Sequence, residues 1–552
     1  MEINGTMDER TQTIDAQTAT DLASSLSHLR AVWTRPDYQA AARQHARGKL
    51  TVQEKIACLF DAGTFTEEHA PGPDLDPRHG ERRLLTGCGD MNGRPVAAAM
   101  FNSAIAAGAV TISTGDKLIQ HMQLAERRRC PLLIDWDSGG ADINDGVASL
   151  DIFRKIFTQI NELSGRIPML SILSGLNAGG GAYAPVMTDT VIMIDGSMMA
   201  VTGPQVIRVA TGEEVTPDEM GGAQLHSEQS GEAHYRVATY EAAAALARKW
   251  FSYLPQSMWS LPPRAAAWEK RGVPTDLRAI VTQARHNARL KRNATWDVRT
   301  FIEAAVDDGS WFECHEKFAT SAVVGLARIA GIAVVVIANQ RQVLGGSMTA
   351  ASSSKVTRIL KLANAYHLPV ITLVDVPGFI ATQTESAGQI LSKGAALLMT
   401  YPNLMVPRVS VVIDKAFGGA YCAMDSYATS VRSGLYRHYG FTTGQVAVMG
   451  KEAGPFFTYG PDGGDAAIRE QHQERYENEY LNMNLAYEGR LVEPLEPEAL
   501  RPRLAAELPP LYDAYQAYWQ RLVGDLERVR EECPDLFTEL RHGALRGLIH
   551  PL

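Results

Sequence analysis

Cysteine is scarce. Cys58, Cys88, Cys130, Cys314, Cys422 and Cys533 are the only six in a chain of 552 residues, and no two of them form a CxxC pair. That spacing excludes a disulfide framework and a cysteine-rich zinc ribbon, and separated thiols suit a reducing compartment. A cationic surplus is also missing: Lys and Arg total 53 against 62 Asp and Glu, a formal net charge of -9. Nothing is left over to neutralise a phosphate backbone, which excludes a general nucleic-acid binder. No apolar run reaches the ~18 residues of a membrane span. The strongest candidate, LARIAGIAVVVIANQ, is broken by Arg328. The opening MEINGTMDERTQTIDAQTATD is polar and partly acidic, unlike a secretory signal. The expectation is a soluble cytoplasmic protein without nucleic-acid or membrane partners.

The usual catalytic signatures are absent too. No GxSxG elbow, HExxH or P-loop GxxxxGK[ST] occurs. His121, His226, His367 and His438 stand isolated, without the spacing of metal ligands, so no metal is expected. What is present is an ordinary globular composition, 45% hydrophobic and 21% charged. The length calls for two or three domains with separate cores.

Along the chain, residues 1–20 are Thr-, Asp- and Gln-rich and read as poorly ordered. A helix with Leu22, Leu26 and Leu29 on one face follows, then the basic run HARGKLTVQEK. A strand-like stretch from Leu84 to Met100 turns at Asn92–Gly93. Strands are predicted at Leu132–Trp136, Met169–Leu173 and Thr190–Ile194, and helices at Gly115–Glu126 and Gly146–Ser164. That alternation predicts an α/β fold built from βα crossovers. The proline-bearing and basic stretch from Leu254 to Ala294 reads as a connector, dividing a domain at 21–290 from one at 291–552. Beyond it come an apolar strand pair at Ala322–Ile337, a helix at Ser352–Tyr366 and a strand at Pro369–Asp375.

The two halves repeat one another. The first contains PLLIDWDSGGADINDG, a helix, then SILSGLNAGGGAYAPVMTDTVIMID; the second contains PVITLVDVPGFIATQTESAG, a helix, then SVVIDKAFGGAYCAMDSYATSV. In each, an apolar strand ends in Asp and a glycine turn, and a later strand runs into Gly-Gly, Ala, Tyr and a helix. A strand that ends in Gly-Gly and opens a helix aims backbone N–H groups at one spot, and such a nest stabilises an oxyanion. Gly179–Gly180–Gly181 and Gly418–Gly419–Ala420 are the two candidates. One Gly-Gly turn alone is more often a packing device. Its repetition in both halves favours function. Two oxyanion sites without an acid/base dyad suggest enolate chemistry in which the proton acceptor comes from a cofactor.

These motifs resemble the carboxyltransferase (β) subunits of biotin-dependent acyl-CoA carboxylases, of the propionyl- or methylcrotonyl-CoA carboxylase type. The likeness runs from about Ala46 to Leu504 and rests on HARGKLTVQEKIACLFDAGTF, DSGGADINDG, GLNAGGGAYAPVMTD, VTGPQVIRVATGEEV, GLARIAGIAVVVIANQ, VDVPGF, KAFGGAY, QVAVMG and AYEGRLVEPLEPEALRPRL. It implies tandem crotonase-like (ClpP/crotonase spiral) domains, with active sites where the first domain of one subunit meets the second of another, often in homo-hexamers. It further implies that the amides of Gly179 and Gly180 hold the acyl-CoA thioester oxygen as it becomes an enolate. Those of Gly419 and Ala420 would hold the ureido oxygen of biotin. Carboxybiotin on a separate carrier protein would then release CO2 and leave a base for the α-proton. Gly140 and Ala141 of DSGGAD, Gly378 of VDVPGF, and Cys422 would contact substrate.

In the family the position of Cys422 lines the acyl pocket and helps select chain length, and an acidic or aliphatic residue is common there. A small buried packing residue is the alternative reading. Asp142 stands where many relatives carry Arg, ESAGQILSKG departs from the usual pattern, and the loop KEAGPFFTYGPDGG matches none. The chain has no AMKM-type biotinylation site and no ATP-binding module, so biotin carboxylase and carrier partners are implied. Lys117, Lys393, Arg127–Arg129 and the basic run 285–292 could touch CoA phosphates, although a solvated helix face is the more ordinary role. Two other readings use the same turns: a decarboxylase of a malonyl- or glutaconyl-type thioester, and a non-catalytic scaffold.

Overall fold

The computed structural model describes residues 38–68, 75–76, 81–266, 276–289, 295–426, 435–481, 483–488 and 492–533. The N-terminal segment 1–20, the Leu22–Leu29 helix and the boundary at 290/291 lie outside the described residues.

The apolar stretches pair into two large sheets, one per half, and both are assembled in the same order. The first is seven-stranded, Thr66–Glu68, Leu84–Met91, Arg94–Phe101, Leu132–Trp136, Met169–Leu173, Thr190–Ile194 and Tyr235–Val237. Its first two junctions are antiparallel and the rest parallel. The second runs Phe312–Cys314, Ala322–Ile329, Ile332–Asn339, Val370–Val376, Arg408–Phe417, Tyr436–Phe441 and Glu493–Leu495, with the same change from antiparallel to parallel. An eighth strand, Gln445–Ala447, pairs with the end of Arg408–Phe417. Parallel neighbours demand crossover helices. Ile112–Arg128 and Ala148–Leu163 serve the first half, and Ala350–Ala365 and Ile390–Thr400 the second.

Local chemistry marks the helix ends. Thr111 caps Ile112–Arg128 by accepting from Thr114 N at 3.1 Å, and Thr349 caps Ala350–Ala365 by accepting from Ser352 N at 3.0 Å. Helix Ile112–Arg128 buries Leu118, Met122 and Ala125, one stripe at helical spacing. Its counterpart buries Val356, Leu360 and Ala363. One apolar cluster extends from Leu133 and Ile172 of the first sheet to Val335, Ile371 and Val411 of the second, so the halves share a core. Helix Leu277–Arg289, on the first-domain side of the predicted boundary, is tied to the second half: Arg285 bonds Asp414 at 2.6 Å and Arg278 bonds Glu498. Among the described residues no helix is long and apolar enough to cross a membrane.

Candidate active site

In the first half, strand Met169–Leu173 leads into the short strand Leu176–Ala178, which pairs in parallel with Met198–Ala200. The chain then turns at Gly179 (φ 58°, ψ -126°) into helix Gly180–Val186. The Gly179 amide is already engaged, lying 3.2 Å from the Ala200 carbonyl and 3.1 Å from that of Val201. This differs from the expectation, in which Gly179 was a donor to substrate. The helix's first-turn amides, at Gly180 and Gly181, have no intrahelical acceptor. They are the ones available.

Opposite them stands the DSGGAD loop. Gly140 (φ 90°) passes so close to Ala178 that a Cβ would lie 2.7 Å from its carbonyl oxygen. The Gly140 amide donates to Ser138 Oγ at 3.2 Å, so it too is engaged. A bridge to Val110 uses the Gly140 carbonyl (2.8 Å) and the Asp142 amide (3.0 Å), leaving the Ala141 N–H outside the bridge. A Cβ on Gly181 would lie 3.9 Å from Gly140 Cα, so the loop and the helix start enclose one small space.

The second half repeats this arrangement. Gly418 has the same φ of 58° as Gly179, followed by helix Gly418–Ala423. Met348 N bonds the Gly378 carbonyl at 3.0 Å and Ile380 N bonds Met348 O at 2.9 Å, as Val110 does with Gly140 and Asp142. Val376 pairs with Ala416, which sets the Gly378 turn beside Gly418–Ala420. Gly418 therefore corresponds to Gly179, and Gly419–Ala420 to Gly180–Gly181. Gly419 is exposed, with open space where a Cβ would stand. Cys422 is exposed on the same helix, one turn from Gly419, at the place Tyr183 holds in the first half.

The acids at the strand ends are bound up. Asp135 meets Lys55 at 2.8 Å and accepts from Ser174 Oγ at 2.6 Å; Asp137 meets Lys49 at 2.8 Å and accepts from Ser103 Oγ at 2.6 Å. Asp375 lies 3.4 Å from Arg341, which also pairs with Asp414, and burial raises the Asp375 carboxyl to about 6. These contacts brace the turns, so none of these four carboxylates is free to act as a base. Asp142 pairs with Arg83 at 2.8 Å and caps the turn through Asn144 N at 3.0 Å. Arg83 and the Asn144 bond hold its carboxyl below the usual range.

Lys117 is neither a phosphate contact nor a solvated residue. It is buried and donates to the Leu84 carbonyl at 2.6 Å, and Lys355 bonds the Ala322 carbonyl at 2.7 Å at the matching place. Lys393 and Arg127–Arg129 are exposed. Arg128 pairs with Glu68, and Arg129 lies over the Trp259 ring. Sequence reading also missed a buried trio, His234, Cys314 and His315, whose ligand atoms lie within 4.8 Å of one another. His234 Nδ1 accepts from Val191 N, which puts the proton on Nε2, and His315 Nε2 bonds the Gly231 carbonyl. Only His315 Nδ1 keeps a lone pair, facing the Cys314 thiol at 3.6 Å. This is not a set of three free ligands.

Two copies of a βα-crossover fold, each turning through glycine from a strand into a helix at the end of its sheet, define a tandem crotonase-like enzyme. The carboxyl transferase domain family matches residues 43–501, and the chain belongs to it. It is 35% identical to the propionyl-CoA carboxylase beta chain of Saccharopolyspora erythraea, over 87% of this chain and 90% of that one. It is 32% identical to the methylmalonyl-CoA carboxyltransferase 12S subunit of Propionibacterium freudenreichii subsp. shermanii, covering 84% and 89%. The crystal structure of transcarboxylase 12S, a hexamer with hydrolyzed methylmalonyl-coenzyme A bound, superposes with a TM-score of 0.79 at 30% identity, covering 89% and 95%.

Proposed function

We propose that this chain is the carboxyltransferase subunit of a biotin-dependent acyl-CoA carboxylase, moving CO2 from carboxybiotin to the α carbon of an acyl thioester. The observation that carries this reading is the duplicated cradle: equivalent open amide pairs, Gly180–Gly181 and Gly419–Ala420, one for each carbonyl oxygen that must accept negative charge. In the first half, Gly180 and Gly181, faced by Ala141, hold the thioester oxygen while the α carbon loses its proton. In the second, Gly419 and Ala420 hold the ureido oxygen, and the bare Gly419 turn leaves room for that ring to approach. Carboxybiotin, when bound there, would supply the CO2 and, once it has released it, the base that takes the α-proton. Each oxyanion donor contributes a factor of about 10²–10³ in rate.

Both cradles are flanked by exposed apolar side chains. Ile143 and Val147, just past the DSGGAD loop, are 91% and 82% exposed; Val448, whose carbonyl lies 3.1 Å from where a Gly418 Cβ would stand, is 79% exposed. Patches of this kind mark association surfaces. A homo-hexamer in which the first cradle of one subunit faces the second cradle of another would cover them, with biotin carboxylase and a biotinylated carrier protein as further partners. The test is fixation of labelled bicarbonate onto a panel of acyl-CoA thioesters, given ATP, a biotin carboxylase subunit and a biotinylated carrier. Label in the acyl-CoA is the predicted outcome. Loss of a carboxyl group from a dicarboxylic thioester without ATP, and no fixation, would make the chain a decarboxylase instead.

A further inference from the structure

Helix Gly418–Ala423 is short and begins without a side-chain cap, and nothing lies within 4 Å of where a Gly419 Cβ would stand. The cradle therefore has to be held from behind. A directed chain of hydrogen bonds lies there. Tyr436 donates its single hydroxyl proton to the Asp425 carbonyl at 2.6 Å. It must then accept from His438 Nδ1, 2.7 Å away, which puts the imidazole proton on Nδ1. Nε2 is left with a lone pair and accepts from the Tyr421 hydroxyl at 2.9 Å. Each member has one possible role, so the direction of the relay is determined.

Both ends are anchored. His438 sits in strand Tyr436–Phe441, opposite Ser410 on the strand that feeds the cradle. Asp425 closes the helix's far side through a 2.7 Å pair with Arg408, which also bonds the Tyr401 carbonyl at 2.8 Å. His438 is buried, and burial pushes its pKa down to about 3, so the neutral tautomer persists at working pH. In the first half the place of Tyr421 is taken by Ala182, which packs in an apolar cluster. The relay belongs to the second cradle.

We propose that His438 is a positioning residue: acting through Tyr421, it holds the Gly419 and Ala420 amides and the Cys422 side chain in register for the incoming carbonyl oxygen. The role of that cradle rests on the function proposed above; the mechanical claim does not. Three variants separate the two. His438→Phe fills the space but removes both bonds. His438→Gln keeps an acceptor for Tyr421 and a donor for Tyr436. Tyr421→Phe removes a single oxygen and leaves the packing intact.

Amide hydrogen exchange of the 417–424 segment is predicted to accelerate about tenfold in His438→Phe and Tyr421→Phe and to return near wild type in His438→Gln, with helix Ala350–Ala365 unchanged in all three. In the complete carboxylation assay kcat should fall about 10- to 100-fold in the two Phe variants. The KM for the biotinylated carrier should rise, while that for acyl-CoA stays within about twofold. Unchanged exchange at 417–424 in both Phe variants, or equal acceleration across both halves, overturns the proposal. A wild-type protein that fixes no bicarbonate but shows the predicted exchange pattern removes the functional reading and leaves the positioning role standing.

Discussion

A methyl group added to Gly180 would clash with the Phe153 ring, whereas one added to Gly419 would meet nothing within 4 Å. The two residues hold equivalent places yet are glycine for different reasons, one for packing and one for access. Gly180→Ala is therefore expected to destabilise the fold by roughly 1–3 kcal/mol through overpacking, measured by denaturant unfolding. Its activity loss would mix two causes; an unchanged midpoint would show that Phe153 yields without cost. Cys422 is exposed one turn beyond Gly419. Cys422→Asp should shift the kcat/KM ratio between short and longer acyl-CoA substrates by about tenfold or more. An unchanged ratio across chain lengths would remove this side chain from the acyl pocket.

Among the elements, His367 joins the long helix Leu500–Glu532 to the connector: Nδ1 meets Tyr515 Oη at 2.8 Å and Nε2 meets the Met258 carbonyl at 2.7 Å. Burial pushes its pKa down to about 4. The unfolded chain protonates His367 near its ordinary value of 6.5 and the folded chain does not, so stability is lost as pH falls from about 6.5 toward 4. The contribution is roughly 3 kcal/mol at most. His367→Gln should lose less stability between pH 7 and pH 4.5 than wild type; an equal loss would contradict this.

Much of the element plan was legible in the sequence. Strands Leu132–Trp136, Met169–Leu173 and Thr190–Ile194 lie where their apolar runs predict, because parallel strands are buried on both faces. The helix predicted at Gly115–Glu126 begins earlier, at Ile112, since Thr111 caps it. Leu176–Ala178 was not legible: three residues become a strand only through pairing with Met198–Ala200. That pairing also occupies the Gly179 amide, a long-range contact that local Gly-Gly spacing does not show. Lys117 was misread for the same reason, since its acceptor at Leu84 is remote in sequence.

At the scale of the whole molecule, the proposed function pairs the first cradle of one subunit with the second cradle of another. Gly181 has room for a Cβ at ordinary contact distance, so Gly181→Val and Gly419→Val can each disable one cradle. Co-expressed, the two inactive variants should assemble hybrid oligomers with about a quarter of wild-type activity, because random mixing restores that share of intersubunit sites. Zero recovery in verified hybrids would place both cradles of a site within one chain. The most direct single measurement is bicarbonate fixation by Gly419→Val alone, with oligomer mass and unfolding midpoint recorded alongside. The predicted result is a loss of about 10²–10³-fold with assembly and midpoint unchanged; wild-type turnover in that variant would contradict the central role of the second cradle.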